Sequence, residues 1–143
     1  MAGYSYCISL RLDHPSRDPD EFTAALGMEP DRVWRAGEPH ATRKDGPLEG
    51  LRHESFWTAT MAEGAWPPRE LGDSLSGVLD RLEDKASFFA ELSRSGGNAE
   101  FFIGWFIDGG NSGDILEHGL LGRLARLGLD LSFDIYPGDA ARP

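Results

Sequence analysis

Near the start of the chain Tyr4, Tyr6, Ile8, Leu10 and Leu12 alternate with Ser5, Cys7, Ser9, Arg11 and Asp13. A period of two over nine residues predicts a strand with one covered face and one polar face. The same beat returns at the other end, where Leu129, Leu131, Phe133 and Ile135 alternate with Asp130, Ser132 and Asp134. Between them the run FFIGWFI puts Phe101, Ile103, Trp105 and Ile107 on one face and Phe102, Gly104 and Phe106 on the other. Apolar residues on both faces predict a central strand, with these aromatics in the core. Shorter strands are expected over residues 32–36 and 55–61.

The helical period appears three times. Phe22, Ala25 and Leu26 form a stripe behind Asp18-Pro19-Asp20-Glu21 and end at Gly27. That arrangement predicts a helix capped by Asp18, with Pro19 at its first position and Glu21 closing a capping box. Leu71, Leu75, Val78, Leu79 and Leu82 follow, then Phe88, Phe89 and Leu92 before Gly96 and Gly97. One helix over residues 70–95 would be about 39 Å long at 1.5 Å per residue, too long for a domain of this size. A break near Glu83 and Asp84 is therefore expected, with Asp84 capping the second piece. Leu116, Leu120, Leu124 and Leu127 predict a last helix ended by Gly128.

The resulting order, β-α-β-β-α(α)-β-α-β, predicts an α+β domain related to the ferredoxin-like fold. Its helices would cover one face of a mainly antiparallel sheet of about five strands. At 143 residues one domain suffices, with a long Gly/Pro-rich loop over 37–54 and a frayed tail over 137–143. A core of this size needs no metal or disulfide, and the single cysteine, Cys7, permits no internal disulfide. Cys7 is expected to be a buried or half-buried thiol. No run of about 18 apolar residues marks a membrane span, and the N-terminus has no secretory pattern, so the expectation is a cytoplasmic protein. Twelve arginines against two lysines, with abundant Gly, Ala and Pro, suggest a GC-rich, bacterial coding sequence.

The net charge of −10 argues against nucleic-acid binding, because phosphate affinity comes from neutralising cations. The charge is uneven, however. Residues 32–53 carry Arg32, Arg35, Arg43, Lys44 and Arg52 against Glu38, Asp45 and Glu49, a local excess of +2, while the remainder of the chain stands at −12. Long irregular connections in compact domains are usually functional or mobile. Trp34, Arg35, His40, Arg43, Lys44 and Arg52 are thus the candidate contacts for a small anion or an acidic peptide, with Trp34 as a stacking face. The alternative is that Arg32 and Arg35 pair with the domain's own carboxylates and that Trp34 is core.

The segment DGGNSGD after the apolar run, residues 108–114, resembles a phosphate loop only superficially. The Walker spacing would require a lysine where an aspartate stands, and the dinucleotide spacing fails. A calcium loop beginning at Asp108 would place Gly119 where a bidentate carboxylate is needed. A turn is the better reading, with Asn111 tolerating a left-handed conformation and Ser112 and Asp114 serving the next helix start. Asp13, His14, Asp18 and Asp20 mix metal-ligand types without a fixed spacing. His118 reads as a solvated helix residue. No catalytic signature, cofactor motif or metal motif stands out.

The segments CISLRLDHPSRDPDEFTAALGMEPDRVWRAGEP, PLEGLRHESFW, LSGVLDRLEDKASFFAELSRSGGNAEFFIGWF and LGLDLSFDIY resemble the bacterial domain of unknown function 4279 family over nearly the whole chain. The resemblance implies a compact intracellular α+β domain and assigns no functional residues. Taken with the absence of catalytic motifs, it points to a non-catalytic protein-interaction module, of immunity-like or accessory type by analogy with small acidic domains that block basic toxins. A small-anion binder and an enzyme of unrecognised class remain as alternatives, and a homodimer is compatible with an exposed strand edge.

Overall fold

The computed structural model describes residues 3–39 and 50–137, together with the backbone of 42–43 and 46–47. The main sheet is built from β1 (Tyr4–His14), β2 (Arg32–Trp34), β5 (Ser55–Trp66), β6 (Asn98–Ile107) and β7 (Leu129–Tyr136), and a small ribbon from β3 (Thr42–Arg43) and β4 (Gly46–Pro47). The helices are α1 (Asp20–Leu26), α2 (Leu71–Leu82), α3 (Ala86–Arg94) and α4 (His118–Leu127).

The sheet order is β2-β5-β1-β6-β7. β1 runs antiparallel to both β5 and β6, β2 antiparallel to β5, and β7 parallel to β6. Two crossover units therefore interleave. β1 and β2 lie parallel on either side of β5, while β5 and β6 lie parallel on either side of β1. This is the expected ferredoxin-like arrangement with β7 added at one edge.

All four helices contribute to one apolar core on one side of the sheet. Tyr4, Tyr6, Ile8, Leu10 and Leu12 of β1 pack there with Phe22 of α1, Leu75 and Leu79 of α2, Phe89 of α3 and Leu124 of α4. Trp57 of β5 is fully buried, and its indole N–H donates to Thr23 Oγ1 at 3.0 Å, which fastens α1 to the sheet. Among the described residues the opposite face carries no helix.

Helix ends follow the sequence in part. Asp18 Oδ1 accepts the Asp20 N–H at 2.9 Å, as a cap should, and Gly27 closes α1 with φ 70°. Glu21 does not complete a capping box; it pairs with Arg17 at 2.9 Å. The long helical stretch breaks where expected, through a 3-10 turn at Glu83–Lys85. Asp84 does not cap α3, which starts after Lys85 without a side-chain cap. The 3-10 turn continues the chain directly into α3, so no separate cap position exists.

Strand lengths also depart from expectation. β2 stops at Trp34 because the chain turns at Arg35–Glu38, where the Glu38 N–H donates to the Arg35 carbonyl at 3.2 Å. β5 runs on through Ala62–Trp66, paired with the beginning of β1 across a register shift at Ile8/Ser9.

Candidate functional site

β2, β5, β1 and β6 each send one set of side chains to the helix-free face, and on it the arginines and aromatics gather. Trp34 stacks on its cross-strand partner Phe56, with ring centroids 4.5 Å apart. The Arg52 guanidinium lies 3.9 Å from the Trp34 ring centroid. Arg32 lies 5.9 Å from both Trp34 and Phe56. On β1, Arg11 sits 3.7 Å over Phe102 of β6 and 6.0 Å from Phe56. The result is a row, Arg52, Trp34, Arg32, Phe56, Arg11, Phe102, that crosses four strands.

Strand pairing produces this row. Arg32 pairs with Thr58 and Trp34 with Phe56; Thr58 pairs with Arg11, and the next β1 residue on that face, Ser9, pairs with Phe102. A guanidinium over an aromatic face gains about 0.5–1 kcal/mol at an exposed site, and more when desolvated. It also keeps its planar fork aligned for carboxylate or phosphate.

Among the described residues none of Arg11, Arg32 and Arg52 forms an ion pair, and the Nε atoms of Arg11 and Arg52 are buried without a hydrogen-bond partner. Elsewhere arginines take carboxylates readily. Arg35 contacts Asp20 at 2.7 Å, Asp18 at 3.2 Å and Glu38 at 3.9 Å, and the Asp20 contact raises its pKa. Arg123 of α4 reaches Asp80 at 2.6 Å and Glu83 at 2.8 Å. Glu83 holds the Arg123 pKa well above its ordinary value, and Arg123 in turn lowers that of Glu83.

The six residues singled out from the sequence therefore separate. Trp34 and Arg52 come together, on the helix-free face. Trp34 is not a core residue but a half-buried one, because β2 presents it away from the helices. Arg35 points toward the start of α1 and is neutralised there. His40 and Lys44 lie outside the described residues, and for Arg43 only the backbone, in β3, is described.

Arg11, Phe56 and Phe102 escape a reading of the loop because they belong to regular strands. Their signal was the polar phase of β1 and the second apolar face of β6. Phe102 is half-buried and Phe106 is 42% exposed, so these two aromatics are not core. Phe101 and Trp105, on the helix side, are.

The segment after β6 is a turn of other geometry than expected. Gly109 turns the chain with φ 76°, and no non-glycine among the described residues has positive φ, so Asn111 is not left-handed. α4 begins only at His118 with Glu117 as its flanking residue, too far along for Ser112 or Asp114 to cap it. Asp114 serves α2 instead. Its Oδ2 accepts the Gly72 N–H at 3.1 Å and the Tyr4 hydroxyl at 3.2 Å, which suits the positive end of that helix. Burial raises the Tyr4 pKa to about 12.

A cleft of about 530 Å³ opens between α2, this segment and α4, lined by Glu70, Asp73, Asp114, Glu117, Leu120 and Arg123 among others. Repulsion from Asp114, with some burial, raises the Glu70 pKa. Arg123 on its wall is already neutralised.

Two further groups are structural. His14 is 2% exposed; its Nδ1 accepts the Ser16 and Arg17 amides at 3.0 and 2.9 Å, so Nε2 carries the proton given to Ser95 Oγ at 2.9 Å. Burial, then Arg17, lowers its pKa. With Asp18 capping α1 as well, Asp13, His14, Asp18 and Asp20 form no ligand set, and no group of three or more metal-ligating side chains occurs among the described residues. The half-buried Cys7 thiol is pushed up in pKa by burial and by Glu63, the opposite of what a nucleophile needs. No helix of the described residues is long and apolar enough to cross a membrane.

No curated protein and no solved structure matches this chain. The profile of the family described as Domain of unknown function (DUF4279) matches residues 4–138. The chain belongs to that family.

Proposed function

We propose that this member of the family is a non-catalytic interaction module whose docking surface is the helix-free face of its sheet. The observation that carries the reading is the row of three guanidiniums laid on Trp34, Phe56 and Phe102 without carboxylate partners among the described residues. In a chain of net charge −10, three such cations on one face of the sheet leave donors without carboxylates on a rigid support. Aromatic residues and arginine are also the types enriched where proteins meet.

Burial and Glu63 push the Cys7 thiol up in pKa, and Glu100, the carboxylate beside Arg11, is engaged by Ser132. An immunity or accessory role, with a basic toxin as partner, would have to use the acidic remainder of the surface, and the arginine row does not favour it.

Affinity capture from the source cells tests the reading. Partners retained by the wild-type protein should be lost by a Trp34→Ala/Phe102→Ala variant and kept by Arg126→Ala in the α2–α4 cleft. Capture unaffected by the double variant would overturn it. A shift in melting temperature on adding inorganic phosphate or citrate, abolished by Arg11→Gln, would favour a small-anion binder at the same face.

A further inference from the structure

We infer that the arginine–aromatic row docks an acidic polypeptide segment in extended conformation, laid across strands β2, β5, β1 and β6. The inference rests on the helix-free face being the docking surface and names the chemistry of its occupant. It begins from an imbalance. The chain has 24 carboxylates and 14 cationic side chains, and Arg35 and Arg123 take two or three carboxylates each. Arg11, Arg32 and Arg52 sit side by side and take none among the described residues.

Three carboxylates of β1, β5 and β6 lie on this face with other partners. Glu100, the cross-strand neighbour of Arg11, accepts from Ser132 at 3.0 Å. Asp13 accepts from Asn98 at 2.9 Å. Glu63 accepts from Cys7 at 3.8 Å. Juxtaposed cations repel one another, and the arrangement becomes favourable when an outside anion bridges them.

Spacing and field select the occupant. Arg11 and Arg32 belong to strands separated by β5, so their backbones stand about 10 Å apart at the usual strand spacing. An extended segment carries alternate side chains on one face about 7 Å apart. Acidic residues at alternate positions therefore reach successive guanidiniums, while intervening apolar groups meet Phe56 and Phe102. A nucleic acid would also offer anions, but its continuous charge must approach a body that is −12 outside residues 32–53. That repulsion opposes a polyanion more than a short segment.

The probe is a fluorescein-labelled decapeptide of alternating Glu and Ser, followed by anisotropy in about 50 mM salt, where the Debye length is about 14 Å. The wild-type protein should bind it saturably. The Arg11→Gln/Arg32→Gln/Arg52→Gln variant should bind about tenfold more weakly or worse, given two or more lost charge-assisted contacts. Arg35→Gln should bind as wild type. Single Gln variants serve if the triple variant fails to fold by circular dichroism, and each should weaken binding.

Equal binding by wild type and Gln variants, no binding by the wild type, or equally tight binding of a ten-residue oligothymidylate would overturn the inference. So would a wild-type dimer in sedimentation that the Gln variants dissociate, which would assign the face to a second copy. If cellular capture is lost with Trp34→Ala/Phe102→Ala and unaltered in the Gln variants, the docking face stands and its acidic occupant falls.

Discussion

Phe101 and Phe102 are neighbours on β6 and face opposite ways. Phe101 is fully buried beneath the helices, among Leu10 of β1 and the rest of the core. Phe102 lies half-buried on the helix-free face with Arg11 3.7 Å above it. On one face of the sheet aromatic rings exclude water by packing against apolar atoms. On the other they support cations and stay within reach of solvent. The difference locates stability on the helix side and leaves the other face with half-buried rings and guanidiniums.

The largest expected effect separates the two faces directly. Phe101→Ala should destabilise the domain by about 3–5 kcal/mol, the loss for a large aromatic removed from a packed core. Phe102→Ala should lose about 1 kcal/mol, covering partial burial and one cation–π contact. Urea denaturation with matched m-values measures both. If Phe102→Ala matched Phe101→Ala, the helix-free face would be a second core and the contrast would fail.

Next comes a polar tie on the helix side. Asp114 satisfies both the Gly72 amide and the Tyr4 hydroxyl, so Asp114→Ala should lower stability by about 1–3 kcal/mol by leaving these donors short of an acceptor. Asp114→Asn, which keeps an acceptor oxygen, should lose less. Equal losses in the two variants would show that charge, not hydrogen bonding, is the contribution.

Asp114 also marks how far the sequence could be read. The alternation in β1 and β7 and the stripes of α1, α2 and α4 were legible because burial on one side imposes a period, and that period is local. The break between α2 and α3 was legible from length alone. What Asp114 does was not, since its partners are 42 and 110 residues away. Trp34 and Arg52 stand out in the sequence as part of a basic loop, but that they meet on the helix-free face does not. Pairing of Arg35 with the domain's own carboxylates is one of two readings, and which carboxylates was hidden because Asp18 and Asp20 meet it only when β2 lands beside α1. Phe102 was misread because a second apolar face on a strand resembles a second covered face. Without knowing where the helices pack, a platform and a core look alike.

The titration of His14 sharpens the contrast in another way, since it reports the helix side alone. Its pKa is lowered on folding, so the unfolded chain takes up the proton first as pH falls. Stability contributed by neutral His14 is therefore full above the unfolded value near 6.5 and is lost as pH drops toward the folded value. The slope cannot exceed about 1.4 kcal/mol per pH unit for one group. Melting temperatures between pH 7 and 5 should fall in the wild type and fall less in His14→Gln. A profile equally steep in the variant would mean that carboxylates, not His14, govern this window.

The smallest effect compares two arginines. Arg35→Gln removes a cation shared by three carboxylates, all solvent-exposed, so it should lower the melting temperature slightly at low salt. Arg52→Gln removes about 0.5–1 kcal/mol of cation–π attraction, but it also relieves repulsion from Arg32 across the same Trp34 ring. These opposing terms should leave the melting temperature close to that of the wild type. The gap between the variants should close in about 1 M salt, where charges beyond about 3 Å are screened. Should Arg52→Gln prove the more damaging of the two, Arg52 would be holding the β2–β5 connection in place. The proposed docking face would then lose its strongest member.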